Sequence, residues 1–458
     1  MLKLFNELPR KLQVFRPQKA NKVTMYVCGP TIYDYGHLGH GRSAVAFDII
    51  RRYFLYKRYE VTFVFNYTDI DDKLIKRAWE NNMTVKTLAD QFTLMYDEDY
   101  LKLNILPLEH RPKATEHIKE MIALIAVLEK KGYTYIIEGD GVYYDVQRFS
   151  RYGKLSGQNL EQLRAGARVD IVDKKKHPED FVLWKYKKQL EPSWSSPWGE
   201  GRPGWHIECS AMVRALLGDT IDVHGGGQDL IFPHHEDEIA QSEAATNKPL
   251  ARFWLHNGFV LVNKEKMAKS LGNFFTLREA FGKYDPLVIR HFLGSVHYRA
   301  PITFTPEALE GAKQSLERLQ RLYDELPLWQ LKSGKKTLSW GKYRRSFEKC
   351  MDEDINVSKA LAVIFEVVGE VNKAKLESRL TQRDGAEAKT FLENIDSIFA
   401  VLVKTKGKIP VNVQEIVAER EKARGVKDWN MSDKLRQEIK KYGYAVKDTN
   451  DGQILEKL

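Results

Sequence analysis

The strand–helix–strand succession at the start of the chain is the feature that most constrains its fold. An apolar stretch, Val23–Cys28, is followed by a loop rich in Gly and Pro, a helix-periodic stretch near Ser43–Tyr56 and a second apolar stretch, Val61–Phe65. Two strands joined through a helix lie parallel in one sheet. Because open parallel sheets bind ligands outside the carboxyl ends of their strands, we expect a site beyond Cys28.

A second half of the same sheet is predicted far downstream. After an irregular stretch rich in Trp, Pro and Gly, the pattern resumes with a strand at Ile221–Gly227, a helix near Pro233–Ala245 and a strand at Phe259–Val262. We interpret the segment of about residues 90–206 as an insertion between the two halves of the sheet. Residues 1–305 are therefore expected to form one α/β domain with Rossmann-like topology.

Two smaller regions are predicted after the α/β domain. Residues 306–404 have helical periodicity, which is typical of a helix bundle. The stretch Lys404–Pro410 has the composition of a linker, and residues 405–458 predict two short helices and a terminal hairpin through Tyr444–Leu455. This last region is basic, and we interpret it as a small α+β module.

Composition narrows the classes of protein to which the chain can belong. Its 72 Lys and Arg residues exceed its 62 Asp and Glu residues, and the net charge of +10 favours polyanionic partners without identifying one. Only three cysteines occur, Cys28, Cys209 and Cys350, which excludes a disulfide framework in a chain of 458 residues. The sequence has neither a secretory h-region nor an apolar run long enough for a membrane span, so we expect a cytoplasmic protein.

Two motifs, one in each half of the predicted sheet, suit the binding of a nucleoside triphosphate. The first runs from His37 to His40 (His-Leu-Gly-His) and opens the first helix, where backbone amides favour a phosphate and Gly39 permits close approach. Taken alone, such histidines more often cap a loop. The second, Lys-Met-Ala-Lys-Ser, offers Lys266 and Lys269 to neutralise charge on a leaving pyrophosphate, although a solvated lysine pair is the alternative. The sequence contains no P-loop motif.

A candidate zinc-binding set consists of Cys28, Cys209, His234 and Glu238. His234 and Glu238 are four residues apart and share one face of a predicted helix, while the second cysteine lies in a predicted helix over Gly204–Leu217. The pairs His235 with Glu238 and His234 with Asp237 also share a face, so spacing alone leaves the choice open. Buried cysteines beside a solvated acidic helix are the alternative interpretation.

The order of these features resembles the class I aminoacyl-tRNA synthetases, in which an H-x-G-H helix, an insertion, a second half-sheet and a K-M-x-K-S loop follow one another. Leu38 stands where that family often has Ile, and Ala268 where it often has Ser, but both lysines are retained. Several stretches, spread over nearly the full length, resemble the cysteinyl-tRNA synthetases: Cys28-Gly-Pro-Thr, Asn66-Tyr-Thr-Asp-Ile-Asp-Asp72, Gly204-Trp-His-Ile-Glu-Cys209-Ser, Asp222-Val-His-Gly-Gly-Gly227, Phe232-Pro-His-His-Glu-Asp-Glu238 and Lys427-Asp-Trp429.

The resemblance implies which residues form the sites. The family's zinc ligands fall on Cys28, Cys209, His234 and Glu238, and its ATP motifs on His37, Gly39, His40, Lys266 and Lys269. For the substrate cysteine we expect contacts from Trp205, four residues before the second zinc ligand, and from Thr68 and Asp229 at predicted strand ends or loops. Trp429 in the basic tail is expected to stack on an anticodon base, and a place in the core of a small domain is its alternative role.

Three acidic residues, Asp69, Asp71 and Asp72, invite a magnesium-site interpretation. A helix N-terminus enriched in acids is the more common explanation, and we do not assign them as ligands.

The resemblance further implies the reaction: L-cysteine is activated by ATP to cysteinyl-adenylate and transferred to the 3′-terminal adenosine of tRNA(Cys). The histidines and lysines of the two motifs act as charge stabilisers, without a protein nucleophile. One zinc ion per chain would distinguish the thiol of cysteine from the hydroxyl of serine, which pocket contacts alone separate by only ~10–200-fold. Mg²⁺ is expected with ATP, and the chain is expected to be a monomer without membrane contact.

Two other functions remain open from the sequence. One is a cysteine ligase of the same ancestry that passes the adenylate to a small amine, against which the basic tail with Trp429 argues. The other is a non-catalytic RNA-binding protein with a structural zinc ion, against which the intact histidine and lysine motifs argue.

Overall fold

A computed structural model of the chain describes residues 1–108, 110–158, 174–262, 265–266, 275–329, 331–403, 411–449 and 452–457. The chain divides into two compact units. The first comprises residues 1–305 and 351–357, and the second comprises residues 306–350 and 358–458. Within the described residues, none of the helices is both long and apolar enough to cross a membrane.

The first unit is built on a four-stranded parallel sheet. Its strands lie in the order Ala251–Asn257, Ile221–Gly227, Lys22–Val27 and Glu60–Phe65. After Lys22–Val27 the chain adds Glu60–Phe65 on one side of the sheet, and after Ile221–Gly227 it adds Ala251–Asn257 on the other side. The strand order therefore reverses between the two central strands. In an open α/β sheet this point of reversal is where ligands bind, at the carboxyl edge.

The strand Ala251–Asn257 corrects one detail of the sequence prediction. We expected the second half of the sheet to end with Phe259–Val262, but Val260–Val262 instead pairs with Ile302–Phe304 and Glu265–Lys266 in a separate three-stranded sheet. Arg252 and His256 interrupt the apolar pattern of the outer strand, which concealed it in the sequence.

The first helix, Leu38–Tyr56, begins five residues earlier than its apolar periodicity suggested. His37 is its N-cap, and the Nδ1 atom of this side chain accepts hydrogen bonds from the backbone N–H groups of Gly39 and His40. Histidine is not among the usual N-cap residues, so no capping signal marks this position in the sequence. Leu38 is fully buried, as expected for an apolar packing residue.

Further elements of the first unit surround this sheet. Among the described residues of this unit, the other α-helices are Asp72–Glu80, Val85–Lys102, Ile118–Lys130, Trp205–Leu217, Glu236–Thr246, Leu277–Phe281 and Pro286–Gly294. Between the two halves of the parallel sheet, an antiparallel sheet is formed by Thr134–Ile137, Gly141–Tyr144, Phe181–Tyr186 and Gly201–Pro203. An N-terminal hairpin pairs Lys3–Asn6 with Lys11–Val14.

The second unit is mainly helical and ends in a hairpin. Where the structure describes this unit, its α-helices span Pro306–Glu325, Trp340–Asp352, Val357–Leu376, Gln382–Phe399, Val411–Gly425 and Trp429–Lys441. The hairpin pairs Tyr444–Thr449 with Gly452–Lys457, and a small core of Val413, Ile439, Val446 and Leu455 joins it to the last two helices. The last two helices and the hairpin are the elements expected for the C-terminal region.

Candidate functional site

The carboxyl edge of the parallel sheet collects polar residues from several strands. Cys28 follows the strand Lys22–Val27, and its backbone N–H donates to the carbonyl of Gly225 on the neighbouring strand. A side chain at Gly29 is impossible, because a Cβ atom there would lie 1.7 Å from the carbonyl oxygen of Asn66. The glycine therefore lets the chain after Cys28 run close against the end of the adjacent strand.

Four buried side chains meet at this edge: Cys28, Cys209, His234 and Glu238. The two sulfur atoms are 3.7 Å apart, and Cys28 Sγ lies 3.2 Å from Glu238 Oε1. His234 Nε2 is also 3.2 Å from Glu238 Oε1, and one donor atom from each of the four residues lies within 4.8 Å of all the others. The structure thus brings together three stretches of chain that are far apart in sequence.

These separations suit a tetrahedral zinc ion. Zinc–sulfur bonds of about 2.3 Å place two thiolates about 3.8 Å apart, and zinc–nitrogen and zinc–oxygen bonds of about 2.0–2.1 Å place those atoms about 3.3 Å apart. The observed separations of 3.7 Å and 3.2 Å are close to both values. The donor set, with two soft sulfurs, one imidazole and one carboxylate, is also one that zinc prefers.

The protonation of the cluster also fits a cation. Burial and the neighbouring Cys209 raise the pKa of the Cys28 thiol well above its ordinary value, so this thiol stays protonated unless a positive charge is present. Burial lowers the pKa of His234 to about 3, which keeps this imidazole in the neutral form that binds metals. A divalent cation bound between the two buried sulfur atoms and the carboxylate would stabilise both cysteines as thiolates.

A second set of candidate ligands overlaps the first and comprises Cys28, His224, His235 and Glu238. His224 Nε2 lies 2.9 Å from Glu238 Oε2, a separation typical of a hydrogen bond from N–H to a carboxylate and shorter than that between two ligands of one zinc ion. His235 Nδ1 is similarly close to His256 Nε2, at 2.8 Å. We therefore assign His224 as a residue that orients Glu238 and prefer the set with two cysteines.

Trp205 lies beside the cluster, at the start of the helix that carries Cys209. Its ring stacks on the imidazole of His234, with 4.4 Å between ring centroids and 24° between planes. The tryptophan side chain remains 38% exposed. It therefore covers one face of His234 from the solvent side, a position compatible with contact to a small molecule held at the cluster.

Thr68 and Asp229 lie near the same edge of the sheet. Thr68 is buried just after the strand Glu60–Phe65, where its backbone N–H donates to the carbonyl of Pro30. Asp229 is exposed and lies in a short 3-10 turn, Gln228–Leu230, directly after the strand Ile221–Gly227. Both residues therefore follow strands of the parallel sheet at its carboxyl edge.

The two histidines of the first motif fix each other's orientation. His37 Nδ1 accepts from the N–H of Gly39 at 3.0 Å, and His40 Nδ1 accepts from the N–H of His37 at 3.3 Å. Their rings stack with centroids 3.6 Å apart, and the Tyr96 hydroxyl lies 2.9 Å from His40 Nδ1. Because Nδ1 is the acceptor in both neutral rings, Nε2 is the atom that carries the proton and donates.

The second motif lies mostly outside the described residues. Lys269 falls there, and for Lys266 only the backbone is described, in the strand Glu265–Lys266. The chain that follows is described again from Phe275, whose carbonyl accepts from the N–H of Leu38 at 3.2 Å. The chain at Phe275 therefore lies beside the start of the first helix.

The acidic run near residue 70 has a structural explanation. Asp71 is the N-cap of the helix Asp72–Glu80, accepting from the N–H of Lys73 at 2.7 Å. Asp72 forms ion pairs with Lys185 and Arg202. Asp69 accepts hydrogen bonds from both the N–H and the hydroxyl of Thr115. The interpretation of these acids as part of a helix N-terminus is confirmed for Asp71, the N-cap, and for Asp72, the first residue of the helix.

Trp429 begins the helix Trp429–Lys441 in the second unit and is 55% exposed. The guanidinium of Arg424 lies 5.6 Å from the centroid of its ring. The tryptophan is therefore not part of the small apolar core of this region, and a cation lies beside its aromatic face.

Several residues of the site were not singled out from the sequence. His224 and His256 were overlooked although both are polar residues within buried strands, where a partner is required. That requirement is a usable sequence signal. Tyr96 was also missed, and no local pattern connects it with His40, because the two residues are 56 positions apart in the chain.

Three family models match consecutive parts of the chain. A model described as the tRNA synthetases class I (C) catalytic domain matches residues 14–314. A DALR domain model matches residues 346–403, and a cysteinyl-tRNA ligase anticodon binding domain matches residues 406–454. The chain therefore has the C-terminal module that the alternative ligase, acting on a small amine, would lack.

Curated relatives match the chain from end to end. A cysteine–tRNA ligase from Caldicellulosiruptor saccharolyticus is 46% identical over 467 residues and is covered completely, as is this chain. Cysteine–tRNA ligases from Geobacillus thermodenitrificans and Desulforamulus reducens are 45% and 44% identical, each covering 98% of this chain, with 98% and 99% of their own lengths matched.

Solved structures support the fold independently. A methionyl-tRNA synthetase from Mycobacterium tuberculosis, in complex with methionyl-adenylate, is similar with a TM-score of 0.58 over 83% of this chain and 90% of its own. At 17% sequence identity, this similarity concerns the fold alone. Together with the matching catalytic-domain model, it confirms the prediction of an α/β class I synthetase fold.

Proposed function

Since this chain belongs to the cysteine–tRNA ligases, a family of class I aminoacyl-tRNA synthetases, we propose that it works in two steps and selects its amino acid with a bound zinc ion. L-Cysteine first reacts with ATP to give cysteinyl-adenylate and pyrophosphate. The cysteinyl group then passes to the 3′-terminal adenosine of tRNA(Cys). We further propose that the chain acts as a monomer in the cytoplasm, a reducing compartment that suits two adjacent unpaired thiols.

The observation that carries this proposal is the 3.7 Å separation of Cys28 Sγ and Cys209 Sγ beside His234 and Glu238. These four residues would hold the zinc ion. A zinc ion there would supply a soft Lewis acid that favours the thiolate of cysteine over the hydroxyl of serine. Trp205, stacked on His234, would cover the side chain of the bound amino acid. Thr68 and Asp229 would lie near the carboxylate and ammonium groups of that amino acid.

His37 and His40 would stabilise the charge that develops on the phosphates. Their Nδ1 atoms are engaged by backbone N–H groups, which leaves Nε2–H as the donor of each ring. The N-terminus of the first helix adds the positive end of its dipole, and Gly39 permits close approach of ATP. Lys266 and Lys269 would neutralise the leaving pyrophosphate together with Mg²⁺ bound to ATP.

The experiment that tests this proposal is amino-acid-dependent exchange of pyrophosphate into ATP, measured with cysteine and with serine. We expect zinc-loaded protein to activate cysteine and to discriminate against serine by more than the ~10–200-fold that pocket contacts alone provide. Protein stripped of zinc should lose exchange with cysteine and recover it when zinc is restored. Activation of serine at a rate comparable to that of cysteine would contradict the role proposed for the metal.

A further prediction concerns the anticodon module. Replacing Trp429 with alanine is expected to lower kcat/KM for tRNA(Cys) by about 5- to 150-fold, because the stacking of one base contributes about 1–3 kcal/mol. Exchange of pyrophosphate should be unchanged, since that reaction needs no tRNA. The variant Trp429→Phe keeps an aromatic face and should retain most of the activity. Equal losses in both variants would exclude stacking as the role of this residue.

A further inference from the structure

A chain of polar side chains, buried except for the partly exposed His206, continues from the cluster on the far side of His234. His234 Nδ1 lies 3.0 Å from Nδ1 of His206, and His206 Nε2 lies 3.3 Å from Asp237 Oδ2. The hydroxyl of Tyr152 donates to the other carboxylate oxygen, Asp237 Oδ1, at 2.5 Å. Four residues from three separate stretches of sequence thus form a continuous series of polar contacts.

The order of donors and acceptors along this chain has one consistent solution. His234 presents Nε2 to the cluster, so an imidazole that binds a cation there keeps its proton on Nδ1. That proton can be donated to His206 Nδ1 only if His206 carries its own proton on Nε2. The N–H at His206 Nε2 then faces Asp237 Oδ2 at 3.3 Å, while Asp237 Oδ1 accepts from the hydroxyl of Tyr152.

We propose that His206, Asp237 and Tyr152 are positioning residues that fix the ring orientation and the tautomer of His234, and thereby strengthen binding of the zinc ion. The inference rests on the zinc site of the proposed function and adds these residues to it. Metal-bound histidines commonly donate their second N–H to a partner that ends in a carboxylate, and such a partner makes the ligand more basic. Here one additional imidazole lies between the ligand and the carboxylate.

A purely structural role for Asp237 is the competing explanation, because the segment 151–156 packs on the helix Glu236–Thr246. Other contacts already hold that segment in place. Glu236 Oε2 accepts from the backbone N–H groups of Leu155 and Ser156, and Glu243 forms ion pairs with Arg151 and Lys154. Glu236 is therefore a buried acid next to Asp237 that holds the same segment in place. None of the contacts described for Glu236 involves His234.

This difference provides a matched pair of variants, Asp237→Asn and Glu236→Gln. Both replace one buried carboxyl group by an amide of the same shape at neighbouring positions of the same helix. Zinc affinity is measured on the full-length protein by competition with a chromogenic chelator, and thermal unfolding is measured in parallel. We expect Asp237→Asn to weaken zinc binding by about 10- to 100-fold, and His206→Gln to act similarly. Tyr152→Phe should have a smaller effect, and Glu236→Gln should leave zinc affinity unchanged even if it lowers the Tm.

The outcomes separate this inference from the proposal on which it rests. Wild-type affinity in Asp237→Asn, or equal losses in Asp237→Asn and Glu236→Gln, would overturn the positioning role while leaving the zinc site intact. A wild-type protein that binds no zinc would overturn the zinc site itself and the positioning role with it. As a second measurement, the visible spectrum of the cobalt-substituted protein should shift in Asp237→Asn and remain unchanged in Glu236→Gln, because it reports the geometry and the donor strength of the ligands.

Discussion

Replacing Cys209 with serine will lower cysteine-dependent pyrophosphate exchange by at least ~100-fold. Loss of a residue that only hydrogen-bonds to a metal ligand commonly costs ~10–100-fold, and loss of the ligand itself should cost more. The zinc content of the purified protein will fall as well. The sulfur of this residue lies 3.7 Å from that of Cys28, as two ligands of one zinc ion do. A serine hydroxyl at the same position keeps its proton near neutral pH and binds zinc poorly. Metal analysis and the exchange assay measure the two effects separately.

Cys350→Ser is the matched control for this prediction. It makes the same chemical change in the helix Trp340–Asp352, outside the four-residue cluster. We expect wild-type zinc content and wild-type exchange in this variant, and Cys28→Ser should behave like Cys209→Ser. Full zinc content in Cys209→Ser would show that this thiol is not a ligand.

Replacing His37 with asparagine will lower kcat for pyrophosphate exchange by about 100- to 1,000-fold, the usual effect of removing one donor that stabilises transition-state charge. Asparagine is a good N-cap residue, so the first helix should keep the cap that His37 Nδ1 now provides. What the variant lacks is the Nε2–H group. Steady-state kinetics should therefore show a large loss of kcat while the Tm changes little.

His37→Ala separates the two roles of this side chain. It removes both the cap and the donor, so it should match the kinetic loss of His37→Asn and also lose about 1 kcal/mol of folding stability. If His37→Asn kept wild-type kcat while His37→Ala lost it, capping of the helix would be the whole contribution of His37.

Much of the site could be anticipated because its parts lie on strongly patterned elements. The strands that precede Cys28 and Thr68 are apolar runs with turn residues between them, so their parallel pairing and common edge follow from the sequence. Spacing alone, however, did not choose among His234, His235 and Asp237. That choice depends on which side chains of the turn Ile231–His235 and of the following helix Glu236–Thr246 face Cys28 and Cys209, and this is decided by tertiary packing.

The remaining parts of the site depend on contacts between distant segments. The strand Ala251–Asn257 was not recognised because His256 breaks its apolar run, yet in the structure this histidine contacts His235. Likewise, the link between His206 and Asp237 joins the starts of two helices, and neither local sequence contains a sign of the other. The role of a polar residue in a buried element depends on a partner elsewhere in the chain, and a local sequence pattern does not show that partner.

X-ray absorption at the zinc edge, recorded on the full-length protein with and without cysteine, is the most direct test of the central claim. We predict one zinc ion per chain with two sulfur ligands from Cys28 and Cys209, and an additional sulfur ligand when cysteine is present. A protein without zinc, or a zinc ion surrounded only by nitrogen and oxygen, would contradict the account.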